Sequence, residues 1–227
     1  MEFQLEREMA APVQQWLESR HLTIKREFRL PWGICDFAAC RIDPKRFQHR
    51  RSLGQRQSIG THLRVILYSL IPDESRKKGI GIRRLRHKVG DHINESRVEE
   101  EVETLIKRRF VFRTPSGCLK SRNGWKPLQN LVVAVEAKLS RIADVHHQAL
   151  RNLSFADESF AALPESCAIR LGERGLGRFA DEGIGWIGVH KQGCSIILPP
   201  QRRRELIDPV VQMHGVEQFV TLAIKGT

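Results

Sequence analysis

The sequence contains no apolar run that approaches the roughly 18 to 20 residues needed to cross a bilayer. Its first residues are acidic and amphipathic and lack the basic start and apolar middle of a signal peptide. Both absences predict a soluble protein of the cytoplasm. No CxxC pair occurs, and the five cysteines stand mostly in apolar runs. We therefore expect reduced core thiols instead of disulfides or a zinc site.

Positive charge is abundant, and it is unevenly distributed along the chain. The 227 residues carry a net charge of +12. Between Arg41 and Leu128, 22 Lys and Arg stand against 9 Asp and Glu, a net of +13, whereas the remainder carries −1. A segment with this balance attracts a polyanion, and nucleic acid is the usual one. The alternative is a basic surface that only keeps the protein soluble.

The first stretch, residues 1–42, predicts a helix followed by two strands. Apolar residues recur at helical spacing up to Leu17, and apolar and polar residues then alternate over Leu22–Leu30. A turn at Pro31 leads into a second strand, Ile34–Ile42. Asp36 lies inside the apolar part of that strand, so it needs a partner, because an unpaired buried charge is costly.

The middle stretch, residues 43–128, begins with a basic linker over Asp43–Ser58. After the linker the pattern predicts three helices and a β-hairpin. These are the helices Thr61–Ile71, Arg83–Val89 and Ser96–Arg109, and the hairpin strands Phe110–Phe112 and Cys118–Lys120. Three helices followed by a hairpin resemble a winged helix-turn-helix domain, which usually places its third helix in the DNA major groove.

Basic side chains of this stretch are candidates for contacts with nucleic-acid phosphates, which supply affinity but little sequence information. They are Arg83, Arg84, Arg86 and Lys88 on the second helix, Lys107 to Arg109 at the end of the third, and Arg113, Lys120 and Arg122 around the hairpin. The third helix instead opens with several glutamates, which repel phosphate. Residues 96–109 are therefore a candidate docking surface for a protein partner or a sister subunit.

The third stretch, residues 129–227, predicts alternating strands and helices. The segments are a strand Val132–Ser140, a helix capped by Ser140, a strand Ser159–Leu163, a helix Cys167–Phe179, a hairpin of Gly183–Val189 with Cys194–Leu198, and a short helix in the tail. Strands alternate with helices on both sides of the middle stretch. We therefore expect an α/β domain built from residues 1–42 and 129–227 and interrupted by an inserted domain, residues 43–128.

Glu136 and Lys138 stand two positions apart in a strand, so alternation predicts that they share a face. If Asp36 lies on the adjacent strand, two carboxylates and a lysine converge beside the carbonyl of Ala137. Hard oxygen ligands of this kind suit Mg²⁺ or Mn²⁺. With the lysine orienting the nucleophile, the set fits phosphodiester hydrolysis. The alternative is an exposed edge strand with both charges in water.

The order of these segments resembles the PD-(D/E)XK nuclease superfamily, which has the restriction-endonuclease-like fold, a mixed sheet flanked by helices. The resemblance lies in G-I-C-D-F around Asp36, V-E-A-K from Val135, the following helix, and F-A-D-E-S-F-A-A-L-P. It implies a metal-dependent DNA endonuclease with Asp36 and Glu136 as metal ligands, next to the carbonyl of Ala137 already named, Lys138 as catalytic lysine and Gln148 beside the site. The glutamate that such nucleases add from the first helix fits Glu6 better than Glu8.

Other interpretations stay open at the level of sequence. A non-catalytic nucleic-acid-binding or adaptor protein with a retired nuclease fold is the rival function. RNA is not separated from DNA as the substrate, although no aromatic-rich sheet face of the RNA-recognition kind is present. A homodimer is compatible with two-strand cutting. His146 and His147 point about 100° apart on a helix, so we expect one to pack and the other to be solvated.

Overall fold

The structure is a computed structural model that describes residues 3–90, 92–122 and 126–225, with only the backbone described at 168–169, 172–174 and 223–225. The chain divides into two compact units. The first unit contains residues 1–41 and 129–212, and the second contains residues 42–128 and 213–227. The middle stretch of the sequence is thus the larger part of the second unit, and the last residues, which we had grouped with the third stretch, cluster with it.

The first unit is α/β and contains a mixed six-stranded sheet, counted over the described residues, with the spatial order β1-β2-β5-β6-β7-β8. Its strands are β1 (Thr23–Leu30), β2 (Gly33–Ile42), β5 (Gln129–Ala137), β6 (Glu158–Pro164), β7 (Gly185–His190) and β8 (Gly193–Leu198). Strands β5, β6 and β7 run parallel to one another. The hairpins β1-β2 and β7-β8 are antiparallel.

Helices cover both faces of this sheet because both faces are apolar. The helices are α1 (Ala10–Ser19), α6 (Ile142–Asn152) and α7 (Glu165–Asp181). On one face, Val13 and Leu17 of α1 pack with Val133 and Val135 of β5. On the other face, apolar residues of α6 and α7 pack around the buried Trp186. Glu136 therefore lies in a strand that is buried on both sides, as is usual in parallel sheets.

The second unit contains short helices and a small hairpin. Its elements are α2 (Pro44–Ser52), α3 (His62–Leu70), α4 (Ile82–Val89), α5 (Glu95–Lys107), β3 (Val111–Arg113) and β4 (Leu119–Ser121), together with α8 (Pro209–Lys225) from Met213 onward. Helices α3, α4 and α5 contact one another, and β3 pairs with β4 in antiparallel register. Ile80 forms a further antiparallel bridge with Leu119.

Three local expectations were wrong. The supposed linker contains α2, which begins after Asp43 because that carboxylate accepts the backbone N–H groups of Lys45 and Arg46 and Pro44 occupies the first turn. Ser140 does not cap α6; the residue at the cap position is Arg141, without a side-chain bond. The tail helix α8 is 17 residues long, not short.

No helix in the described part of the chain is long and apolar enough to cross a membrane.

Candidate functional site

The adjacent strands β2 and β5 bring Asp36 and the Glu136 segment together. The Cys35 thiol lies 3.8 Å from the carbonyl of Val135, and the backbone N–H of Ala137 donates to Asp36 Oδ2 at 2.9 Å. Strand pairing therefore brings together Cys35 and Val135, which are 100 positions apart in the sequence. The expectation that Asp36 lies beside the E-x-K strand is confirmed.

Lys138 does not share the environment of Glu136, which corrects the expectation from strand alternation. β5 ends at Ala137, and the backbone N–H of Lys138 donates to Ala162 at 3.0 Å. Beyond the strand end the period of two no longer determines direction. The Lys138 ammonium lies 3.6 Å from Asp36 Oδ2 and 3.6 Å from Glu6 Oε2, so it sits between two carboxylates.

Glu6 and Glu8 have different surroundings on the 3-10 turn Glu6–Met9 that precedes α1. Glu6 lines a cavity of about 120 Å³ together with Asp36 and Ala137. Glu8 is turned back on its own segment, where its carboxylate accepts the backbone N–H groups of Gln4 and Leu5. These bonds lower the pKa of Glu8. Of the two glutamates, Glu6 therefore has the carboxylate beside Asp36 and Lys138.

Glu136 is almost completely buried, at 2% exposure. Its Oε1 accepts a hydrogen bond from Asn152 Nδ2 at 2.8 Å, and the backbone of Asp36 also donates to its carboxylate. Burial, and then the negative charge of Asp36, raise the pKa of Glu136 to about 7. Burial, and then the charge of Glu136, raise the pKa of the neighbouring Cys35 thiol far above its ordinary value. This end of the sheet therefore favours a compensating positive charge.

Gln148 lies near Glu136, as the resemblance implied. Both side chains line a second cavity of about 140 Å³, with Arg151 and Asn152 from the same helix and Trp32 from the β1-β2 turn. The Gln148 Oε1 is buried and has no hydrogen-bond partner among the described residues. The site thus has two sides: Asp36, Lys138 and Glu6 on the α1 side, and Glu136 and Gln148 on the α6 side.

Two residues of the site were missed by sequence reasoning. Asn152 donates to Glu136 and lies 3.4 Å from the Cys35 sulfur; its position four residues after Gln148, on the same helix face, was the signal that could have found it. Glu27 has φ 48°, a left-handed conformation that is unusual for a residue with a side chain, and it lines the cavity that contains Asp36. No sequence pattern indicates that strain.

The donor set fits a hard divalent cation in part. Asp36 and Glu136 offer carboxylate oxygens from adjacent strands, and the raised pKa of Glu136 marks a deficit of positive charge. Within the described ranges, no group of three or more His, Cys, Asp or Glu side chains is arranged to hold a metal. Mg²⁺ commonly takes one or two carboxylates and keeps several waters. A site with the carboxylates of Asp36 and Glu136 is compatible with this mode of Mg²⁺ coordination.

The basic residues proposed for nucleic-acid contact divide into exposed and engaged groups. Arg83, Arg84 and Lys88 are exposed on α4, and Arg122 is exposed with its guanidinium 5.8 Å from the Phe112 ring. Lys107 and Arg109 are also exposed. The remaining side chains are engaged within the second unit: Arg86 with Glu95 at 3.1 Å, Arg108 with the carbonyls of Ser58 and Ile59, Arg113 with Glu103 at 2.5 Å, and Lys120 with the carbonyls of Glu74 and Arg76.

The glutamates of α5 do not form one exposed face. Glu99, Glu100 and Glu103 are exposed, but Glu101 is buried at 2% exposure. Glu101 binds Arg64 at 2.6 Å and Arg97 at 2.8 Å, so it holds α5 to α3. The predicted docking surface on α5 therefore loses Glu101 and keeps Glu99, Glu100 and Glu103 as exposed glutamates, of which Glu103 is paired with Arg113.

The adjacent histidines of α6 behave as expected from helical geometry. His146 is buried at 2% exposure, 2.6 Å from Glu182, and packs edge-on against Phe179. His147 is exposed. One histidine packs and the other is solvated, which confirms the prediction.

Comparison with known proteins adds little to this geometry. No protein-family model matches the chain, and no curated protein matches it. A solved structure of a protein of unknown function from Silicibacter pomeroyi is similar, with 11% sequence identity and a TM-score of 0.45 over 100% of this chain and 90% of that one. A likeness at this level carries no functional conclusion.

Proposed function

We propose that the protein is a metal-dependent deoxyribonuclease of the PD-(D/E)XK class, an endonuclease with a restriction-endonuclease-like core. The observation that carries the proposal is the Lys138 ammonium 3.6 Å from Asp36, on the strand pair that also presents Glu136 with its pKa raised to about 7. A lysine between two carboxylates, here Asp36 on β2 and Glu6 before α1, is the group needed to activate water next to a phosphodiester.

The roles follow from position. Asp36, with the carbonyl of Ala137 and a further carboxylate from Glu6, would hold Mg²⁺ or Mn²⁺ on the α1 side. Glu136 would complete the ligand set by turning its carboxylate from the α6 side toward Asp36. The cation supplies charge stabilisation at the phosphoryl oxygens and a more acidic bound water. Lys138 orients the attacking water and offsets negative charge that develops on the phosphate. Asn152 positions the Glu136 carboxylate, and Gln148 flanks it.

The second unit supports this function as a winged helix-turn-helix that grips the nucleic acid. Helices α3, α4 and α5, the β3-β4 hairpin and the Ile80 bridge follow the order of such a domain. Exposed Arg83, Arg84 and Lys88 are available for phosphate contacts. These contacts supply affinity but little sequence information.

Incubation of purified protein with supercoiled, linear duplex and single-stranded DNA, in Mg²⁺, Mn²⁺ or EDTA, tests the proposal. RNA serves as a parallel substrate. We expect metal-dependent breakage that falls at least about 100-fold in Lys138→Ala and Glu136→Gln. Lys191→Ala, an exposed lysine of the β7-β8 turn, is the matched control and retains activity. Equal DNA breakage by Lys138→Ala and by the native protein would contradict the proposal.

A binding-only protein with a retired nuclease site is the second candidate, and the burial of Glu136 at 2% exposure favours it. The Glu136 carboxylate is buried, accepts a hydrogen bond from Asn152 and has a raised pKa. A glutamate with these properties fits a structural role as well as the role of a metal ligand. DNA binding that is unchanged by Mg²⁺ and by Asp36→Asn, without strand breakage in any metal, selects this candidate.

A further inference from the structure

The second unit contains a cavity of about 380 Å³, larger than the cavities of about 140 Å³ and 120 Å³ beside Glu136 and Asp36. Pockets that hold small molecules have volumes of roughly 300 Å³ upward. This cavity is large enough for one nucleotide, and no role in the proposed cleavage uses it.

One wall of the cavity is a stripe of α2. Lys45, His49 and Leu53 are spaced four apart, so they follow one another along the same face of the helix. Arg46 and Arg50 form the neighbouring row. The Asp43 cap fixes the first turn of the helix, so the two rows face the cavity from a defined element and not from a mobile linker.

The inner part of the cavity is aromatic and apolar. Tyr68 and Phe110 both line it, both are buried, and their rings meet edge to face with centroids 5.7 Å apart. The phenol of Tyr68 is protonated at neutral pH, as an ordinary tyrosine is, and burial raises its pKa further. Leu53 and the buried Leu128 complete an apolar surface of the kind that accepts a planar ring.

The rim of the cavity is cationic. Lys45, Arg46 and Lys126 line it and are exposed. Arg46 also lies 3.6 Å from the Asp43 carboxylate and donates to the carbonyl of Pro127 at 3.0 Å, so Lys45 and Lys126 carry most of the positive charge of the rim. Arg50 contributes a guanidinium inside the wall, where Glu217 neutralises it, and its buried Nε has no hydrogen-bond partner among the residues described. No carboxylate belongs to the described lining. The cavity therefore combines an aromatic interior with a positive entrance.

We propose that this cavity binds one nucleotide, with the base against Tyr68, Phe110 and Leu53 and the phosphate at Lys45, Arg46 and Lys126. A base needs an apolar and aromatic slot, and a phosphate needs cations at a solvent-accessible edge. The nucleotide is either free or the unpaired nucleotide of a nucleic-acid strand, and the chemistry recognised is the same. The proposal does not rest on the nuclease assignment.

Calorimetric titration of the full chain in EDTA tests it, so the readout is independent of cleavage. The probes are dAMP, deoxyadenosine, inorganic phosphate and a short single-stranded oligonucleotide. We expect dAMP to bind at one site, about tenfold more tightly than deoxyadenosine or phosphate alone. Lys45→Glu and the cavity-filling Leu53→Trp weaken binding by about tenfold or more, and Arg51→Glu is the matched control. Arg51 stands on α2 but does not belong to the described lining.

Each outcome has a defined meaning. Binding of dAMP that is lost in Lys45→Glu and Leu53→Trp but kept in Arg51→Glu supports the proposal with a free nucleotide. The same variant pattern with the oligonucleotide alone supports it with a strand-borne nucleotide. Phosphate binding as tight as dAMP binding overturns it, as do equal losses in Lys45→Glu and Arg51→Glu or an absence of saturable binding. Thermal melting of Leu53→Trp checks its folding, and Lys45→Glu, an exposed position, gives an independent result.

Discussion

Arg50 and Glu217 form a buried two-point ion pair across 167 residues of sequence, with Nη1 to Oε1 at 2.5 Å and Nη2 to Oε2 at 3.0 Å. Glu217 also accepts the backbone N–H of Ile59 at 2.7 Å, and the Arg50 guanidinium lies 4.7 Å from the centre of the Phe110 ring. The pair joins α8 to α2 inside the second unit and holds the wall of the cavity described above.

Removal of one partner is expected to destabilise the second unit strongly. Glu217→Gln or Arg50→Met leaves an uncompensated buried charge, which costs about 3–5 kcal/mol in such pairs. Urea unfolding followed by circular dichroism measures the loss. The double variant Arg50→Met with Glu217→Leu should be closer to the native protein than either single variant. An equally small change in Glu217→Gln and in Glu205→Gln, from the more exposed pair Arg203–Glu205, contradicts this expectation.

Glu101 and Glu100 provide a matched pair on α5. Glu101→Gln removes the charge that binds Arg64 and Arg97, and we expect a loss of about 2–4 kcal/mol in the free energy of unfolding. Glu100 is exposed, so Glu100→Gln should change stability by less than about 0.5 kcal/mol. Similar denaturation midpoints for the two variants would show that Glu101 is not a structural contact.

Tests of partner docking should use Glu99, Glu100 and Glu103.

His214 predicts a pH dependence of stability. Burial, and then the nearby His62, lower the pKa of His214 below its ordinary value of about 6.5. The unfolded chain therefore gains a proton before the folded protein does, so stability is full above about pH 6.5 and falls as the pH drops below it. His214→Gln should reduce this slope between about pH 7.5 and 5, as measured by urea unfolding at several pH values. His87→Gln, an exposed position on α4, is the control and should keep the slope. The buried His146, whose pKa is also lowered, keeps part of the slope in both variants.

The exposed arginines of α4 predict the salt dependence of DNA binding. We expect Arg83→Glu with Arg84→Glu to weaken binding to duplex DNA at least about tenfold and to reduce the slope of log affinity against log salt by about 2. Arg178→Glu, an exposed position in the first unit, is the control. Fluorescence anisotropy at several salt concentrations measures both quantities. If the slope of log affinity against log salt is unchanged in the double variant, α4 does not contact the DNA.

Local sequence patterns were enough to predict most elements near the site. The apolar alternation before Pro31 and after Gly33 predicted β1 and β2, and the run around Glu136 predicted β5, because a period of two is a direct property of the extended chain. The same patterns failed at α2. The face of α2 that contains Lys45, His49 and Leu53 is largely basic. The segment therefore lacks the apolar periodicity by which a helix is recognised in a sequence.

The sequence alone determined the α/β class of the first unit and the concentration of positive charge in residues 41–128. The adjacency of Asp36 to the E-x-K strand was a supposition until the sheet order placed β2 beside β5. Only the tertiary structure decided where each charge points. It turned Lys138 toward Asp36 and Glu6, sealed Glu136 beneath Asn152, and paired Arg50 with Glu217. The contacts of Lys138 and Arg50 join residues more than a hundred positions apart, and the contact of Glu136 with Asn152 depends on how α6 packs against β5. No local periodicity encodes either kind of contact.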